Sequence, residues 1–442
     1  MNRIINADVF EALPTLPAGG VDVVCTSPPY FALRSYLPKD HALKRHELGS
    51  EKTPEEYVAR MVEVFALVKR ALADHGTCWL NIGDSYSTSG GADPHNANKG
   101  NDGRTATRAG RGLDSGSLCL IPQRLALALQ ADGWLCRSLI VWHKPAPMPA
   151  SLSGWRWARH RVKVKRNTNH DTGKNGEHPN PTAVGFNDRW KDSATHSAQW
   201  SDCPGCGRCT PHGGYVLRRG SWRPTSAWEP ILMLAKRQGY YADGEAVKTE
   251  AEYGRRSAFR SNRYLDGASY DNSGDYEPSP TVSGADPSAG ANARDVQSWA
   301  AEPLKEKHYA AFPTALAAWC LRAGTSAKGY CPACGMPWAR VVQTTFVKGQ
   351  ETNNRTRHSE VHGWDNSQWP TGTNDTQTLG WRPTCAHDLP PRPGLVLDPF
   401  CGSGRTGVAA SWLGLDFVGV ELHPEYADVA RKILYNQMPL FA

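Results

Sequence analysis

Apolar runs alternate with amphipathic helical patterns over the first 150 residues of the chain. Val21–Thr26, Thr77–Ile82 and Leu135–Trp142 are short apolar runs, which predict buried strands. Glu55–Leu72 and Leu118–Ala131 lie between them and carry apolar residues at the spacing of one helix face. Strands and helices in alternation predict an α/β fold, in which a mostly parallel sheet is covered by helices on both faces.

The same alternation returns near the carboxyl end. Ala227–Ala235 predicts a further strand and Pro313–Ala323 a further helix. A last strand–helix–strand–helix unit covers Leu395–Asp398, Thr406–Leu413, Phe417–Glu421 and Pro424–Tyr435. Two polar stretches, 85–117 and 254–292, are rich in Gly, Asn and Ser and interrupt the pattern. Loops of this length inside a domain are either disordered or functional.

The strand at Val21–Thr26 runs into Ser27-Pro28-Pro29-Tyr30. Two adjacent prolines have a fixed φ and no backbone N–H, so they cannot continue a central strand. They can instead hold carbonyl groups and flanking side chains in one rigid geometry. Because open α/β sheets bind their ligands at the carboxyl ends of parallel strands, we expect chemistry at this turn.

A glycine-rich turn follows the strand that ends at Asp398. Gly402, Gly404 and Gly407 satisfy the G-x-G-x-x-G pattern, which is weak by itself because a purely structural turn can satisfy it too. Glu421 ends the next strand, where a carboxylate can accept both hydroxyl groups of a ribose. Asp398 suits an ammonium group better than a pyrophosphate. A ribose, an adenine and a cationic amino acid together indicate S-adenosylmethionine.

The position of this turn excludes an ordinary dinucleotide fold. Only 35 residues follow Gly407, too few for the remaining strands. Those strands must come from the N-terminal part of the chain, so we expect a permuted sheet in which the Pro-Pro strand comes first and the nucleoside-binding strands come last.

The two motifs, in this order, resemble those of the amino-directed DNA methyltransferases of the permuted beta class. Thr26–Tyr30 (TSPPY) matches the catalytic motif, Asp398–Thr406 (DPFCGSGRT) matches the cofactor loop, and Glu421 matches the ribose acid. Weaker matches are Asn6-Ala7-Asp8, where the family more often has Gly at position 7, Trp142-x-Lys144-Pro145, Glu229–Leu232 with Lys236, and His308 with Phe312-Pro313. Together the matches cover residues 1–150, 225–245 and 305–442.

The resemblance implies a permuted seven-stranded Rossmann-like methyltransferase core and assigns roles to its motif residues. Ser27 and the Pro28 carbonyl would accept hydrogen bonds from an exocyclic amine, Pro29 would keep the turn rigid, and Tyr30 would stack on a base flipped out of duplex DNA. The implied cofactor-binding residues are Asp8, Thr26, Phe312, Pro313, Asp398, Phe400, Gly402, Gly404, Thr406 and Glu421.

The residue before the two prolines bears on the target base. A carboxylate there is common in the adenine enzymes of the family, and serine is common in the cytosine enzymes, although serine also occurs among the adenine enzymes. Ser27 therefore favours N4 of cytosine, with N6 of adenine as the alternative. The chain has no Pro-Cys dipeptide, the signature of ring-carbon cytosine methylation. We accordingly expect Cys25 and Cys401, which flank the two motifs, to be packing residues.

One cysteine cluster has the form of a zinc knuckle. Cys331-Pro-Ala-Cys334-Gly supplies two thiolates, and Cys385 and His387 complete a set of four ligands. Four protein ligands close the coordination sphere, so this site is expected to be structural and not catalytic.

A second cluster supplies three thiolates, from Cys203, Cys206 and Cys209. The candidates for its fourth ligand are His160 and His212. We favour His160, since chains that resemble this one hold a metal ligand in the corresponding stretch. Two structural zinc ions are therefore expected, and a reduced surface cluster without metal is the alternative here.

Positive charge is concentrated in one segment. The whole chain has a net charge of +7, whereas Ser151–Pro224 carries 13 Lys/Arg against 5 Asp/Glu and also contains five tryptophans. Such a segment can be a solvated basic face, but cations interleaved with aromatic rings are what a nucleic-acid surface requires. We expect a target-recognition insert over 146–304, which also contains a core strand near 225–240. The catalytic half of the core would be 1–145, and the cofactor half 305–442 with a zinc-knuckle insert at 325–390.

Further features of the sequence bear on the cellular location and the partners of the protein. No apolar run approaches eighteen residues, and the start MNRIINADVF is too short and polar for a secretion signal, so we expect a cytoplasmic protein. The resemblance implies a bacterial or phage origin. Its expected partner is double-stranded DNA, with or without a cognate restriction endonuclease, and no membrane; it would be a monomer or a dimer. The alternative functions are a methyltransferase acting on protein glutamine or RNA, and an inactive zinc-containing DNA-binding protein.

Overall fold

A computed structural model describes residues 2–32, 40–87, 113–114, 116–147, 153–165, 199–249, 292–302, 312–348 and 372–437. The predicted loop residues 254–291, most of 85–117, and His308 lie outside the described residues. The chain divides into two compact units, a sheet unit formed by Met1–Ala146 with Ala227–Ala442, and a second unit, Pro147–Ser226.

Fourteen strands are described. In chain order they are β1 (Asn2–Asn6), β2 (Val21–Thr26), β3 (Leu72–Asn81), β4 (Leu135–His143), β5 (Arg156–Arg159), β6 (Arg161–Lys165), β7 (Gln199–Asp202), β8 (Tyr215–Arg218), β9 (Trp228–Ala235), β10 (Val296–Ser298), β11 (Trp338–Lys348), β12 (Gly372–Pro383), β13 (Leu395–Asp398) and β14 (Asp416–Glu421). The described α-helices are α1 (Val9–Ala12), α2 (Pro54–Ala71), α3 (Ile121–Ala131), α4 (Thr314–Gly324), α5 (Arg405–Trp412) and α6 (Pro424–Gln437).

Eight of these strands form the central sheet, in the order β1-β14-β13-β2-β3-β9-β4-β10. Its neighbouring strands are parallel except at β9, which runs antiparallel to both β3 and β4. The mostly parallel α/β sheet is therefore confirmed. β13 lies beside β2, so strands from the two ends of the chain are neighbours in the middle of the sheet.

The expectation of seven strands is wrong by one. The additional strand is β10, which pairs with β4 at the edge of the sheet. It has only three residues, and its exposed and partly exposed side chains give no apolar run that would reveal a strand in the sequence.

Helices cover both faces of the sheet, as the continuous apolar runs predict. One apolar cluster contains side chains of α2 and α3, and the other contains side chains of α4, α5 and α6. α2 shows why the helices form where they do. The Thr53 hydroxyl caps it by accepting from the Glu56 N–H at 3.1 Å, Pro54 occupies its first turn, and Tyr57 and Phe65 lie on its buried stripe.

β2 is buried over its whole length and contains one charged residue, Asp22. Its carboxylate accepts hydrogen bonds from the Arg392 guanidinium at 2.7 Å and from the Leu395 N–H at 2.7 Å, and it lies 3.5 Å from His75 Nε2. A buried carboxylate is tolerated when it is hydrogen-bonded in this way. Asp22 thus fastens the start of β13 to the start of β2.

β11 and β12 form a long antiparallel ribbon within the predicted 325–390 insert. The ribbon begins a few residues after Cys334 and ends just before Cys385. Tyr330, next to Cys331, is buried; its N–H and C=O pair with Arg392, directly ahead of β13. The ribbon is therefore attached to the sheet at the amino end of β13.

The second unit consists of small antiparallel pairs. β5 pairs with β8, and β6 pairs with β7. His160 is the single residue between β5 and β6, where its N–H donates to Gly214 O at 2.9 Å and its carbonyl accepts from Cys203 N at 2.7 Å. None of the helices among the described residues combines the length and the hydropathy that a bilayer crossing requires.

Candidate active site

A cavity lies at the carboxyl ends of the central strands, where both sequence motifs were expected to meet. Most of the predicted catalytic and cofactor-binding residues line it, namely Asp8, Ser27, Pro28, Pro29, Tyr30, Phe312, Asp398, Phe400, Gly402, Thr406 and Glu421. Because β2 and β13 are parallel neighbours, the turns that follow them must emerge at the same edge of the sheet.

Three predicted cofactor residues do not line the cavity. Thr26 is buried, and its hydroxyl group donates a hydrogen bond to Asp398. Pro313 is the residue before α4, and Gly404 is the residue before α5. Gly404 has a φ of +81°, and a Cβ there would lie 3.2 Å from the Ala430 Cβ. The Thr26 hydroxyl is therefore used by Asp398, and Pro313 and Gly404 contribute the backbone geometry at the starts of α4 and α5.

Asp398 joins the two motifs. Its carboxylate accepts from the Thr26 hydroxyl at 2.6 Å, from the Thr406 hydroxyl at 2.6 Å and from the Phe400 N–H at 3.0 Å. Burial raises the pKa of Asp398 to about 6, although these hydrogen bonds act to lower it. The side chain therefore ties the cofactor loop to the catalytic strand while it still borders the cavity. Its contact with an ammonium group stays a prediction.

Glu421 lies at the end of β14, opposite the glycine loop. One of its oxygens accepts from the Gly402 N–H at 2.9 Å and the other from the His423 N–H at 2.9 Å. Burial raises the pKa of Glu421 to about 7, and the nearby negative charge of Asp398 adds to the effect. Each oxygen keeps lone-pair capacity toward the cavity, since a carboxylate can accept about four hydrogen bonds.

Asp8 also lines the cavity but is held by its own neighbours. It caps α1 by accepting from the Phe10 N–H at 2.9 Å, and its other oxygen contacts His46 Nδ1 within hydrogen-bond distance. His46 and the following residues Glu47 and Leu48 border the same wall. The sequence analysis did not identify this wall, because 41–48 shows neither a periodic apolar pattern nor a recognisable motif.

The Pro-Pro turn is fixed by contacts on both sides. The Tyr57 hydroxyl donates to the Pro29 carbonyl at 2.8 Å. Tyr30 packs its ring against Gly83 so closely that a Cβ at position 83 would lie 2.4 Å from the ring. The Tyr30 hydroxyl lies 2.7 Å from Glu229 Oε2 and 3.0 Å from Asn81 Oδ1, both acceptors. Burial, and next the charge of Glu229, raise the pKa of Tyr30 well above its usual range.

Glu229 and Asn81 are site residues that sequence reasoning missed. Glu229 was noted only as part of a strand motif, and Asn81 was not noted. Topology explains why both reach the cavity edge: β3 ends there with Asn81, while the antiparallel β9 starts there with Glu229 as its second residue. Lys144, which follows β4, forms an ion pair with Glu229 at the same edge. The signal that could have identified them is that polar residues stand at the ends of buried strands.

The two predicted metal-ligand sets are each brought together. The ligand atoms of Cys331, Cys334, Cys385 and His387 all lie within 4.8 Å of one another, and so do those of His160, Cys203, Cys206 and Cys209. Among the described residues these are the two groups of this kind.

The Cys203 group includes the histidine that was favoured. Cys206 Sγ lies 3.4 Å from His160 Nδ1 and 3.6 Å from Cys209 Sγ. His212, the other candidate, packs against Trp157 with a centroid distance of 4.7 Å and the two rings tilted by 51°. Hydrogen bonds from the backbone N–H groups of Arg208 and Cys209 lower the pKa of Cys206 to about 6, which favours the thiolate that metals bind. Zinc itself stays a prediction at both clusters.

Comparisons with known proteins agree with these features. The Type II methyltransferase M.Cfr9I of Citrobacter freundii is 27% identical over 437 residues, which are 98% of this chain and 88% of that protein. M.SmaI of Serratia marcescens is 27% identical over 434 residues, 97% of this chain and 89% of that protein. M.XycI of Xanthomonas campestris pv. cyanopsidis is 44% identical over 156 residues, 34% of this chain and 49% of that protein.

The solved structures that match include a DNA methyltransferase and a putative DNA modification methylase. The PvuII DNA methyltransferase (cytosine-N4-specific) is 13% identical, with a TM-score of 0.44 and coverage of 98% of this chain and 86% of that chain. The putative DNA modification methylase TTHA0409 of Thermus thermophilus, complexed with S-adenosyl-L-methionine, is 16% identical, with a TM-score of 0.42 and coverage of 100% and 96%.

The decisive comparison is with a family model. The model described as DNA methylase, which covers the N6- and N4-directed enzymes, matches residues 21–331 and 390–432. This match takes in the TSPPY turn, the glycine loop and most of the sheet that holds them. The chain therefore belongs to the DNA methylase family of amino-directed methyltransferases.

Proposed function

We propose that the chain transfers a methyl group from S-adenosylmethionine to the exocyclic amine of a base flipped out of double-stranded DNA. The proposed acceptor is N4 of cytosine, and N6 of adenine is the alternative. The observation that carries the proposal is the hydrogen bond between Thr26 and Asp398, residues 372 positions apart, which belong to the two motifs that line one cavity.

The cavity residues fit the cofactor. The carboxylate of Glu421 suits the two ribose hydroxyls, and Phe312 and Phe400 provide apolar walls suited to an adenine. Ser403 also lines the cavity. Its hydroxyl group is buried and has no hydrogen-bond partner among the described residues. A carboxylate such as that of the methionine part would satisfy it. When bound, S-adenosylmethionine supplies the electrophilic methyl group.

The Pro-Pro turn suits activation of an exocyclic amine. Such an amine is a poor nucleophile because its lone pair is conjugated with the ring. Acceptors at fixed positions, Ser27 Oγ and the Pro28 carbonyl, favour the pyramidal and reactive form. The hydrogen bond from Tyr57 to the Pro29 carbonyl keeps these acceptors in place. The base must leave the duplex to reach them.

Ser27 supports cytosine as the target base. A serine is a weaker acceptor than a carboxylate, but it can also donate a hydrogen bond to the ring nitrogen that lies beside the cytosine amine. The resemblance of the TSPPY turn to the cytosine enzymes points the same way.

The second unit is proposed to recognise the target sequence. A groove in this unit is lined by the guanidinium-bearing residues Arg156, Arg159, Arg161, Arg218 and Arg219, together with Trp200. Trp155 and Trp222 are 67% and 71% exposed. Cations attract phosphates, and exposed rings can stack on bases, which makes this surface suited to nucleic acid. The names of the Type II relatives support a cognate restriction endonuclease as a further partner.

The assay that tests the proposal combines purified protein, plasmid DNA and S-adenosylmethionine, followed by digestion to nucleosides and mass analysis. We expect N4-methylcytidine. Methyladenosine instead would show that the alternative base is correct. Cofactor binding without any methylated nucleoside on DNA of diverse sequence would favour an inactive DNA-binding protein, and methylation of RNA or protein instead of DNA would favour the remaining alternatives.

Ser27→Ala should slow methyl transfer by about two orders of magnitude or more, because an acceptor that acts in the transition state is removed. Affinity for the cofactor should stay within about twofold of wild type, since Ser27 is expected to face the amine. Asp398→Ala is the contrasting variant and should lose cofactor affinity first, because its carboxylate fastens the loop. Equal loss of affinity and turnover in Ser27→Ala would contradict this role.

Cofactor affinity should depend on pH through Glu421. Its pKa of about 7 means that it takes up a proton as the pH falls from 8 to 6, and Asp398, with a pKa of about 6, follows. A protonated carboxyl accepts weakly from ribose hydroxyls, so we expect affinity for S-adenosylhomocysteine to fall by about tenfold over this range. Titration calorimetry measures it. Glu421→Gln should bind more weakly and lose most of the pH dependence, whereas a flat wild-type profile would refute the assignment.

The arginine groove should carry part of the salt dependence of DNA binding. The double variant Arg156→Ala/Arg218→Ala is expected to bind DNA more weakly and to reduce the slope of log K against log salt by up to about 2. Arg237→Ala is the control, because Arg237 is an exposed arginine of the sheet unit, just after β9 and paired with Asp74, and is not part of the groove. If both variants behave alike in fluorescence anisotropy, the groove is not the DNA surface.

Metal analysis should find close to two zinc ions per chain. Cys206→Ser and Cys331→Ser should each lose about one ion, and strong chelators should unfold the affected region, because structural zinc contributes folding free energy. Cys136→Ser, a partly buried cysteine outside both clusters, is the matched control and should retain both ions. Protein that contains no zinc when prepared without chelator would rule out both sites.

A further inference from the structure

We propose that Glu229 is the proton acceptor of the reaction, and that the proton leaving the exocyclic amine reaches it through the hydroxyl groups of Ser27 and Tyr30. The inference rests on the proposed function and assigns a role to a carboxylate that the mechanism above does not use.

The hydroxyl groups form a chain with a consistent direction. Ser27 Oγ donates to the Tyr30 hydroxyl oxygen at 3.4 Å, and the Tyr30 hydroxyl donates to Glu229 Oε2 at 2.7 Å. The first distance is longer than an ordinary O–H···O hydrogen bond, as is common before a substrate binds and tightens the site. The one hydroxyl proton of Ser27 that can contact the cytosine ring nitrogen turns to Tyr30 as the methyl group is transferred, and a proton that arrives at Ser27 can then move toward Glu229 through the Tyr30 hydroxyl.

Asn81 borders this chain but cannot end it. Its Oδ1 lies 3.4 Å from Ser27 Oγ and 3.0 Å from the Tyr30 hydroxyl, and its amide nitrogen donates to the Pro230 carbonyl at 3.2 Å. An amide accepts hydrogen bonds but does not take up a proton near neutral pH. Among the described carboxylates that line the cavity, Glu229 is the one that is hydrogen-bonded to Tyr30.

The surroundings of Glu229 suit an acceptor that must be ionised before the reaction. Lys144 forms an ion pair with Oε1, which leaves Oε2 to Tyr30, and the Lys144 ammonium lies 4.6 Å from the centre of the Trp142 ring. The Glu229 side chain is also 17% exposed, so a proton that it accepts can pass on to water.

The step balances in atoms and electrons. The amine lone pair forms the N–C bond to the methyl group as the C–S bond breaks, and the electrons of that bond stay on sulfur. The nitrogen then carries one proton too many. That proton moves to Ser27 Oγ, the serine proton moves to the Tyr30 oxygen, and the tyrosine proton moves to Glu229 Oε2. The products are a neutral methylated amine, a neutral thioether and a protonated Glu229.

The kinetic test is single-turnover methylation of an oligonucleotide that contains the target site. Glu229→Gln keeps the shape of the side chain but removes the proton acceptor, so we expect the rate to fall about 100-fold. Tyr30→Phe should cause a similar fall. The double variant should be no slower than the slower single variant, because both changes interrupt one pathway. Glu245→Gln, at an acid paired with Lys248 away from the cavity, is the control and should keep the wild-type rate.

Two readouts separate proton transfer from mere positioning of Tyr30. With 2-aminopurine at the target position, equilibrium base flipping by Glu229→Gln should stay within about twofold of wild type. In cofactor-free protein, the 13Cζ signal of Tyr30, assigned by its absence from Tyr30→Phe, should titrate at lower pH in Glu229→Gln than in wild type. Burial and next the charge of Glu229 raise the pKa of Tyr30, Tyr57 adds to the rise, and the hydrogen bond with Ser27 lowers it; the variant changes the Glu229 contribution alone, and Asn81 is neutral.

The outcomes distinguish this inference from the proposed function. If wild type methylates DNA and Glu229→Gln transfers methyl at nearly the wild-type rate, the proton-acceptor role falls and the proposed function stands. A loss of rate that matches a loss of base flipping makes Glu229 a positioning residue and also overturns the inference. If wild type methylates no DNA, the proposed function itself fails. Glu229→Asp is the second variant should the glutamine variant not fold, and its rate should lie between those of wild type and Tyr30→Phe.

Discussion

The hydrogen bonds that converge on Asp398 are the interaction on which the rest of the site depends. They join the Pro-Pro turn, near the amino end of the chain, to the glycine loop, near its carboxyl end, through Thr26 and Thr406. The parallel pairing of β2 with β13 places both turns at one edge, and the hydrogen bonds of Asp398 fix one turn against the other. A buried carboxylate with three donors is well suited to this task, because its partners are costly to remove.

A second buried acid fastens the same two strands at their other ends. Asp22 holds Arg392 and the first N–H of β13 at the amino end of β2, so the pair of strands is clamped at both ends. Arg392 also pairs with the backbone of Tyr330, directly before Cys331. The Cys331 cluster and the ribbon formed by β11 and β12 are thereby joined to the sheet at the edge opposite the cavity. This arrangement separates the Cys331 cluster from the cavity.

The sequence was informative where one local pattern decides the structure. β13 was predicted with its observed ends and α2 to within one residue of its observed ends, since a buried strand and an amphipathic helix each have their own period. The sequence did not predict four of the strands. β1 and β10 are short, and β11 and β12, which form the ribbon, carry many polar residues. The site was predicted as far as its motifs extend. Glu229 was missed as a site residue because its contact with Tyr30 spans 199 positions and depends on the antiparallel direction of β9.

Burial in the cavity disfavours the ionised forms of two carboxylates, Asp398 and Glu421. The pKa values of Asp398 and Glu421 are raised to about 6 and about 7, above those of free carboxyl groups, so these groups favour the folded state in acid, and this contribution is lost as the pH rises through 6 and 7. Near neutral pH the folded protein therefore carries partly desolvated negative charge at this edge. A cationic, hydroxyl-bearing ligand relieves it, which couples ligand affinity to ionisation. Glu229 differs from these two carboxylates because Lys144 forms an ion pair with it at the cavity edge.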